Sequence, residues 1–277
     1  MGKFVLLFVL FIAIFIAVSS GDDSSDLAFA TYVDTDSDVD VQNERSGLGR
    51  IRYYHARKCA GIRECYYLYL VNTNKNEILV SRIEGASKFD VDRIEEYILS
   101  GTIVSGNNNQ RVLRVQNTYR LLPYDGPQTL DLKTYYFYNN HVAYELNTGK
   151  SYPINYYTEN YSERINLIDE DWLEKKIEGH SVLYGRVYNN QLSISLIFIQ
   201  LPDPQYGCPN FPVYLCENTY VNTYTRDSNR CYSSTGCVKE GFCLLYIPVC
   251  SPGYTLVGAR SKPNGCQKYY CDAYYLV

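Results

Sequence analysis

The chain has few of the residues and motifs on which enzyme active sites and metal sites depend. It contains three histidines, His55, His141 and His180, and none lies at metal-ligand spacing from another histidine or from a cysteine pair. It has no Gly-x-Ser-x-Gly, His-Glu-x-x-His or P-loop motif. We therefore expect no catalytic residues, no metal and no cofactor, and a protein that is not an enzyme.

A strong positive charge is also missing, and so is a second long apolar run. The 26 Lys and Arg against 30 Asp and Glu give a net charge of −4, which argues against a nucleic-acid partner. The continuous apolar run at residues 4–18 follows Lys3 and precedes small residues. It is shorter than the ~20 residues of a membrane span. We predict a signal peptide at 1–20, a secreted protein and no membrane span after signal cleavage.

Beyond residue 20 the composition changes twice. Residues 21–49 are acidic and contain few large apolar side chains, which predicts a disordered lead-in. Two related segments follow at 50–125 and 131–206, because residues 111–123 align with 190–202 when the chain is shifted by about 79 positions. The last segment, 207–277, is rich in cysteine, proline and glycine.

Each related segment predicts a β-β-α-β-β unit, and hence an α+β, mainly β fold. Runs of Tyr, Val and Leu predict the strands. In the first unit Asp90 is the expected N-cap of a helix with Ile94 and Ile98 on its apolar face, ending at Gly101. In the second, Asp169 and Asp171 open a helix with Trp172, Leu173 and Ile177 on that face, ending at Gly179.

Ten cysteines, an even number in an exported chain, predict disulfides. Cys59 and Cys65 are expected to close a local loop. The other eight belong to the small C-terminal module, which has too little apolar bulk for a core of its own. They allow 105 connectivities, which the sequence leaves open; they are Cys208, Cys216, Cys231, Cys237, Cys243, Cys250, Cys266 and Cys271.

The chain is rich in tyrosine, with 30 residues of this type. Most are expected to fill strands with the ring half-buried. Exposed tyrosines could form a platform for carbohydrate or peptide, or be crosslinked in an extracellular coat. Asn160-Tyr161-Ser162 is the single N-glycosylation sequon in the sequence, and it predicts a glycan on Asn160.

Two resemblances to known families add to these expectations. The segment IRYYHARKCAGIREC and the later block around RVLRVQNTYRLL resemble a duplicated secreted domain known only as domain of unknown function 6748, over about residues 50–206. The second copy has Asn139-Asn140-His141 where that family has a cysteine pair. The resemblance implies a secreted duplicated module and no known activity.

The C-terminal module resembles serine protease inhibitors. The loop CLLYIPVC between Cys243 and Cys250 is similar to the inhibitory stretch of Kazal-type inhibitors, and the run from Cys250 to Cys266 is similar to antistasin-like inhibitors. The resemblance implies an inhibitory loop with Leu244, Leu245 and Tyr246, in which Leu245 enters the primary pocket of a protease. The loop has six residues between its cysteines, where Kazal inhibitors more often have seven.

Two functions are therefore expected. The first is a secreted, non-enzymatic binding or extracellular matrix or coat protein, with an extracellular protein or carbohydrate as its partner. The alternative is a serine protease inhibitor that uses the loop between Cys243 and Cys250.

Overall fold

The structure is a computed structural model that describes residues 50–61, 64–86, 89–106, 110–126 and 133–277. All of these belong to the second of the two compact units of the chain, Asp38–Val277. The predicted signal peptide (1–20) and acidic lead-in (21–49) lie outside the described residues.

Within the described residues the fold is mainly β, as the sequence predicts. The strands of the first half (50–125) are β1 Arg52–Lys58, β2 Tyr66–Leu70, β3 Ile78–Val80, β4 Arg82–Glu84, β5 Tyr97–Ser105 and β6 Arg111–Leu121. Those of the second half (131–206) are β7 Thr134–Asn139, β8 Val142–Glu145, β9 Ser151–Pro153, β10 Tyr156–Thr158, β11 Ser181–Tyr188 and β12 Gln191–Leu201. The C-terminal module has β13 Tyr220–Arg226, β14 Tyr232–Lys239, β15 Tyr254–Ser261 and β16 Cys266–Ala273.

Short helices interrupt these strands. They are a 3₁₀ helix at Val91–Glu96, α1 at Tyr161–Arg164, α2 at Glu170–Ile177 and a 3₁₀ turn at Tyr274–Leu276. The helix expected in the second half is confirmed as α2. The Asp169 side chain caps it by accepting a hydrogen bond from the Trp172 backbone N–H. Trp172 and Ile177 are buried on its apolar face.

The helix expected in the first half is shorter than predicted. Asp90 caps it, but it is a 3₁₀ helix that ends at Glu96, so Ile98 and Gly101 lie in β5 instead. Gly101 sits at a β-bulge opposite β6, where a Cβ would overlap the Arg114 carbonyl oxygen. Gly101 is therefore required by a close approach of two strands and not by a helix end.

The first twelve strands form one sheet in the order β3-β2-β1-β5-β6-β12-β11-β7-β8-β9, with β4 and β10 parallel to β6 and β12. The two halves meet where β6 pairs antiparallel with β12. The predicted β-β-α-β-β unit is not confirmed, because each half has four strands before its helix and the first helix is 3₁₀. Both halves nevertheless share one set of strand pairings, with four strands before the shared helix and two after it, and the second half adds α1.

The central strands bury side chains on both faces of this sheet. Along β5, Tyr97 and Leu99 belong to the larger apolar cluster, whereas Ile98 between them belongs to a smaller one. Successive side chains of a strand point to opposite faces, so the clusters lie on the two sides of the sheet. The smaller cluster brings residues from both halves together, including Val71 and Leu146.

Two asparagines join the corners of the two halves reciprocally. Asn72, after β2, donates its side-chain amide to the carbonyl oxygens of Tyr135 (2.7 Å) and Leu146 (2.9 Å) and accepts from the Tyr135 N–H. Asn147, after β8, makes the equivalent three bonds to Tyr53 and Val71 in the first half. Both asparagines have a positive φ, a conformation that this residue type tolerates.

The C-terminal module consists of two units built on the same plan. Each has an extended segment followed by a β-hairpin, β13–β14 or β15–β16. Two disulfides tie the ends of each extended segment to the second strand of its hairpin or the residue before it. The paired cysteines are 23 and 21 residues apart in both units. All ten cysteines are disulfide-bonded, and the predicted Cys59–Cys65 disulfide is confirmed.

A buried ionic cluster attaches this module to the second half. Its three acids and three bases balance; they are Asp169, Asp203, Asp272, Lys176, Arg226 and Arg230. Asp203, at the end of the second half, also accepts a hydrogen bond from the Trp172 indole (2.9 Å). A separate contact between the module and the first half is the hydrogen bond from the Tyr254 hydroxyl to the Pro123 carbonyl oxygen (2.8 Å). Buried charges need such pairing, because an unpaired one is strongly destabilising.

Candidate functional site

The extended segments of the C-terminal module are apolar, uncharged and rich in proline. The first, between Cys208 and Cys216, reads PNFPVYL, and the second, between Cys243 and Cys250, reads LLYIPV. Proline has no backbone N–H to donate to a β-ladder, so both segments lie outside the β-sheets of their hairpins. Their apolar side chains consequently lack the covering that a sheet would give them.

The disulfides fix both ends of each segment. Cys243 is bonded to Cys266 and Cys250 to Cys271, with Cα–Cα distances of 5.4 and 5.6 Å. In the first unit the bonds are Cys208–Cys231 and Cys216–Cys237. The two segments are therefore closed loops, which we call the first loop (209–215) and the second loop (244–249).

The second loop is exposed along most of its length. Leu244 is 94% and Leu245 is 100% exposed, and Tyr246, Ile247 and Val249 are exposed as well. Phe242, just before the loop, is also fully exposed. In this part of the described chain, no backbone group of residues 244–249 hydrogen-bonds to another backbone group. An exposed apolar patch of this size with free backbone donors and acceptors is typical of an interaction surface.

The first loop repeats this arrangement on a smaller scale. Leu215 is fully exposed, and Val213 and Tyr214 are exposed beside it. Phe211 packs edge-on against Tyr224 of β13, with a ring-centroid distance of 5.7 Å. The Asn222 side chain donates to the Tyr214 carbonyl oxygen (2.7 Å). The first loop is thus held more closely to its hairpin than the second.

The three residues expected in an inhibitory loop, Leu244, Leu245 and Tyr246, all lie in the second loop and are exposed. The first loop, which is the counterpart of the second loop, was not predicted from the sequence. The signal was present in the cysteine spacing, because the intervals between the four cysteines from Cys208 and between the four from Cys243 agree to within one residue.

The expected tyrosine platform is limited in extent. Many tyrosines of the sheet are buried, and burial raises the pKa of Tyr135 to about 12. Among the tyrosines described in the two halves, Tyr144, Tyr156 and Tyr188 are more than a third exposed, before Tyr206 at the end of the second half. Tyr156 and Tyr188 both pair with Gln191 and form one short row on β10, β12 and β11.

A cleft between the two hairpins was not foreseen from the sequence. It has a volume of about 340 Å³ and is lined by the rings of Tyr224, Tyr232 and Tyr270 and by Arg226, Lys262 and Lys268. Burial raises the pKa of Tyr232, and the neighbouring Arg226 opposes that shift. A hydrogen bond to Tyr270 raises the pKa of Lys268. These residues come from two hairpins that are distant in sequence, so no local motif predicts the cleft.

Asn160 is exposed at the N-terminus of α1, while Tyr161 within its sequon is buried. In the ranges that the structure covers, no three His, Cys, Asp or Glu side chains are grouped in a way that could hold a metal ion. Within the same ranges no helix is both long and apolar enough to cross a membrane.

The fold and the crosslinks define a disulfide-bonded, mainly β protein of the type usual outside the cell. The chain is 34% identical over 231 residues to an uncharacterized protein of Dictyostelium discoideum, covering 75% of this chain and 80% of that protein. The chain belongs to the same family as that protein. No profile of a known protein family matches it, and no solved structure matches it.

Proposed function

We propose that this is a secreted, non-enzymatic binding protein of the extracellular matrix or coat, and that the two closed apolar loops hold its partner. The observation that carries the proposal is the exposure of nearly every side chain from Phe242 to Val249. Water-exposed Leu, Ile and Phe are unfavourable by roughly 1.5–3 kcal/mol each relative to burial. A partner that covers them recovers that free energy.

The loops suit binding because they are constrained before the partner arrives. Crosslinks at both ends reduce the conformational freedom that a free peptide would lose on binding. The ionic cluster around Asp203 fixes the module to the sheet, so the loops do not swing on a linker. The expected extracellular location fits this proposal, since the disulfides persist only in an oxidising compartment.

A second candidate function is inhibition of a serine protease. It is favoured by the position of Leu245, which is 100% exposed two residues after a crosslinked cysteine. An inhibitor must present one side chain to the primary pocket of the protease and leave its backbone free to pair with the enzyme. The unpaired backbone of residues 244–249 meets that requirement.

The first experiment is a titration of the purified, oxidised protein against chymotrypsin-, trypsin-, elastase- and subtilisin-type proteases. Stoichiometric inhibition that Leu245→Asp abolishes would establish the inhibitor function. Leu215→Asp is the matched control, because it places the same charge at an equally exposed leucine in the first loop. Inhibition that both variants lose equally would contradict a specific role for Leu245.

Without inhibition, the binding function is tested by retention on extracellular matrix preparations. We expect the variant Leu244→Asp/Leu245→Asp to be retained at least tenfold less than the original protein, because a charged loop must be desolvated before it is covered. Leu79→Asp, on an exposed position of β3, should be retained normally. Equal retention of all three proteins would refute binding through the second loop.

A further inference from the structure

The cleft between hairpins β13–β14 and β15–β16 differs in character from the apolar loops. Three of the ten residues that line it are cationic, and none is acidic. Three others are tyrosines, and most of the rest carry hydroxyl groups. Its volume of about 340 Å³ falls within the ~300–1,000 Å³ range of natural ligand pockets.

Arg226 forms the floor of this cleft. Its side chain is 1% exposed, and from behind the carboxylates of Asp169 and Asp272 hold it at 3.4 and 2.6 Å. Tyr270 lies against the guanidinium, with the ring centroid 4.4 Å away. The Nη1 group of Arg226 makes no hydrogen bond of normal geometry in the described structure. The guanidinium is thus fixed in place, and its Nη1 is shielded from solvent.

The positive charge at the mouth comes from two lysines. Lys262 and Lys268 are both exposed and line the cleft on the side of the β15–β16 hairpin. Lys268 lies 5.1 Å from the ring centroid of Tyr270. Because Arg226 belongs to the buried cluster in which three acids and three bases balance, these two lysines give the cleft its net attraction for an anion.

We propose that this cleft binds an acidic saccharide, one that carries carboxylate or sulfate groups. Tyrosine rings offer flat apolar faces against which the C–H faces of a sugar ring can pack. The two lysines can donate hydrogen bonds to the acidic groups. The hydroxyl protons of Thr235 and Ser261 go to Thr223 and to the Cys266 carbonyl oxygen, so these two oxygens can accept hydrogen bonds from the hydroxyls of a sugar. The inference goes beyond binding through the apolar loops and uses none of their residues.

The test is calorimetric titration of the purified, oxidised full-length protein with three probes. Trigalacturonate carries carboxylates, a heparin-derived tetrasaccharide carries sulfates, and cellotetraose carries no charge. We expect one or both acidic probes to bind, with an affinity that falls as salt is added, and cellotetraose not to bind. Lys268→Gln and Lys262→Gln should each weaken binding by about tenfold, the effect of one lost charge-assisted hydrogen bond.

The matched control is Lys239→Gln, which removes an exposed lysine of β14 that does not line the cleft, and it should leave affinity unchanged. Leu245→Asp should also bind normally, which separates this site from the loops. The proposal is overturned if neither acidic probe binds, if cellotetraose binds as tightly, or if the two lysine variants match the original protein. Binding of a sulfotyrosine peptide without either acidic saccharide would also overturn it and indicate a peptide ligand.

Discussion

The reciprocal asparagines predict that the two halves stabilise each other through a few specific hydrogen bonds, and Asn72→Asp tests this. The substitution keeps the size of the side chain and its tolerance of a positive φ. It replaces an amide donor with a carboxylate oxygen that faces the carbonyl oxygens of Tyr135 and Leu146. The acceptor for the Tyr135 N–H is retained.

The expected cost can be estimated from those contacts. Each of the two lost hydrogen bonds contributes about 1 kcal/mol, and the facing oxygens add repulsion of similar size. A total of about 3 kcal/mol in a protein of this size lowers Tm by roughly 6–12 °C. Because a protonated carboxyl can donate one hydrogen bond, the folded protein holds this proton more tightly than the unfolded chain does, and the defect should shrink as the pH falls towards ~4.

The assay is thermal unfolding of the oxidised proteins at pH 7 and pH 3, followed by circular dichroism at one scan rate. Asn74→Asp makes the same chemical change two residues further on, at an exposed position, and should shift Tm by no more than about 2 °C. Asn147→Asp should reproduce the larger defect, since Asn147 donates to Tyr53 and Val71. If Asn72→Asp and Asn74→Asp unfold at the same temperature, the reciprocal contacts do not stabilise the pairing of the halves.

Three further predictions follow from burial and exposure. Asp203→Asn should destabilise the protein by about 3–5 kcal/mol, since it leaves Lys176 and Arg230 without their shared carboxylate. Thermal unfolding measures this loss against the exposed control Asp171→Asn, and equal Tm values of the two variants would contradict it. Burial raises the pKa of Tyr135 to about 12, so the stability it contributes is complete below pH ~10 and is lost as the pH rises towards 12. The part of the phenolate absorbance that appears only with loss of circular dichroism should therefore be smaller in Tyr135→Phe than in the original protein, and equal amplitudes would argue otherwise. On expression in a eukaryotic secretory pathway, Asn160→Gln should lose the mass of one N-glycan, and an unchanged mass would exclude modification there.

The parts of the fold that could be predicted from the sequence are those fixed by local chemistry. Asp169 caps α2 because its carboxylate reaches the Trp172 N–H, an interaction encoded three residues apart. The Cys59–Cys65 disulfide closes a loop of a few residues. The sequence alignment of residues 111–123 with 190–202 also agrees with the structure, since the matched Leu113 and Leu192 are both fully buried. In these cases neighbouring residues carry the signal.

The first helix shows why the spacing of apolar residues alone did not predict where the helix ends. Ile94 and Ile98 are four residues apart, as on a helix, but Ile98 is buried in a strand whose two faces are both covered. A strand buried on both faces loses the alternation that would reveal it. Gly101 therefore corresponds to Gly185, which lies at the equivalent bulge of β11 and β12, and not to Gly179 at the end of α2.

The paired asparagine turns also have a sequence pattern, but its meaning depends on tertiary contacts. Asn72-Thr73 and Asn147-Thr148, each followed two residues later by lysine, mark matching turns. In both turns the threonine hydroxyl donates to a backbone carbonyl three residues earlier. What could not be read from the turn is that each asparagine bonds to the opposite half. The hairpin cleft is likewise a product of tertiary packing.

The buried ionic cluster and the disulfides together hold the second loop in place relative to the sheet. Crosslinks constrain the second loop only relative to its own hairpin, because both disulfides end on β16. Arg230 extends that constraint to the whole protein, since it bonds to Asp203 of the second half and to Asp272 of β16. If the loops bind a partner, a variant that loosens this cluster should bind more weakly without any change in the loops, because more freedom is then lost on association. Asp203→Asn at a temperature where it remains folded should therefore weaken retention on matrix, while the exposed control Asp171→Asn should not. Normal retention of a folded Asp203→Asn protein would show that the loops act independently of the sheet.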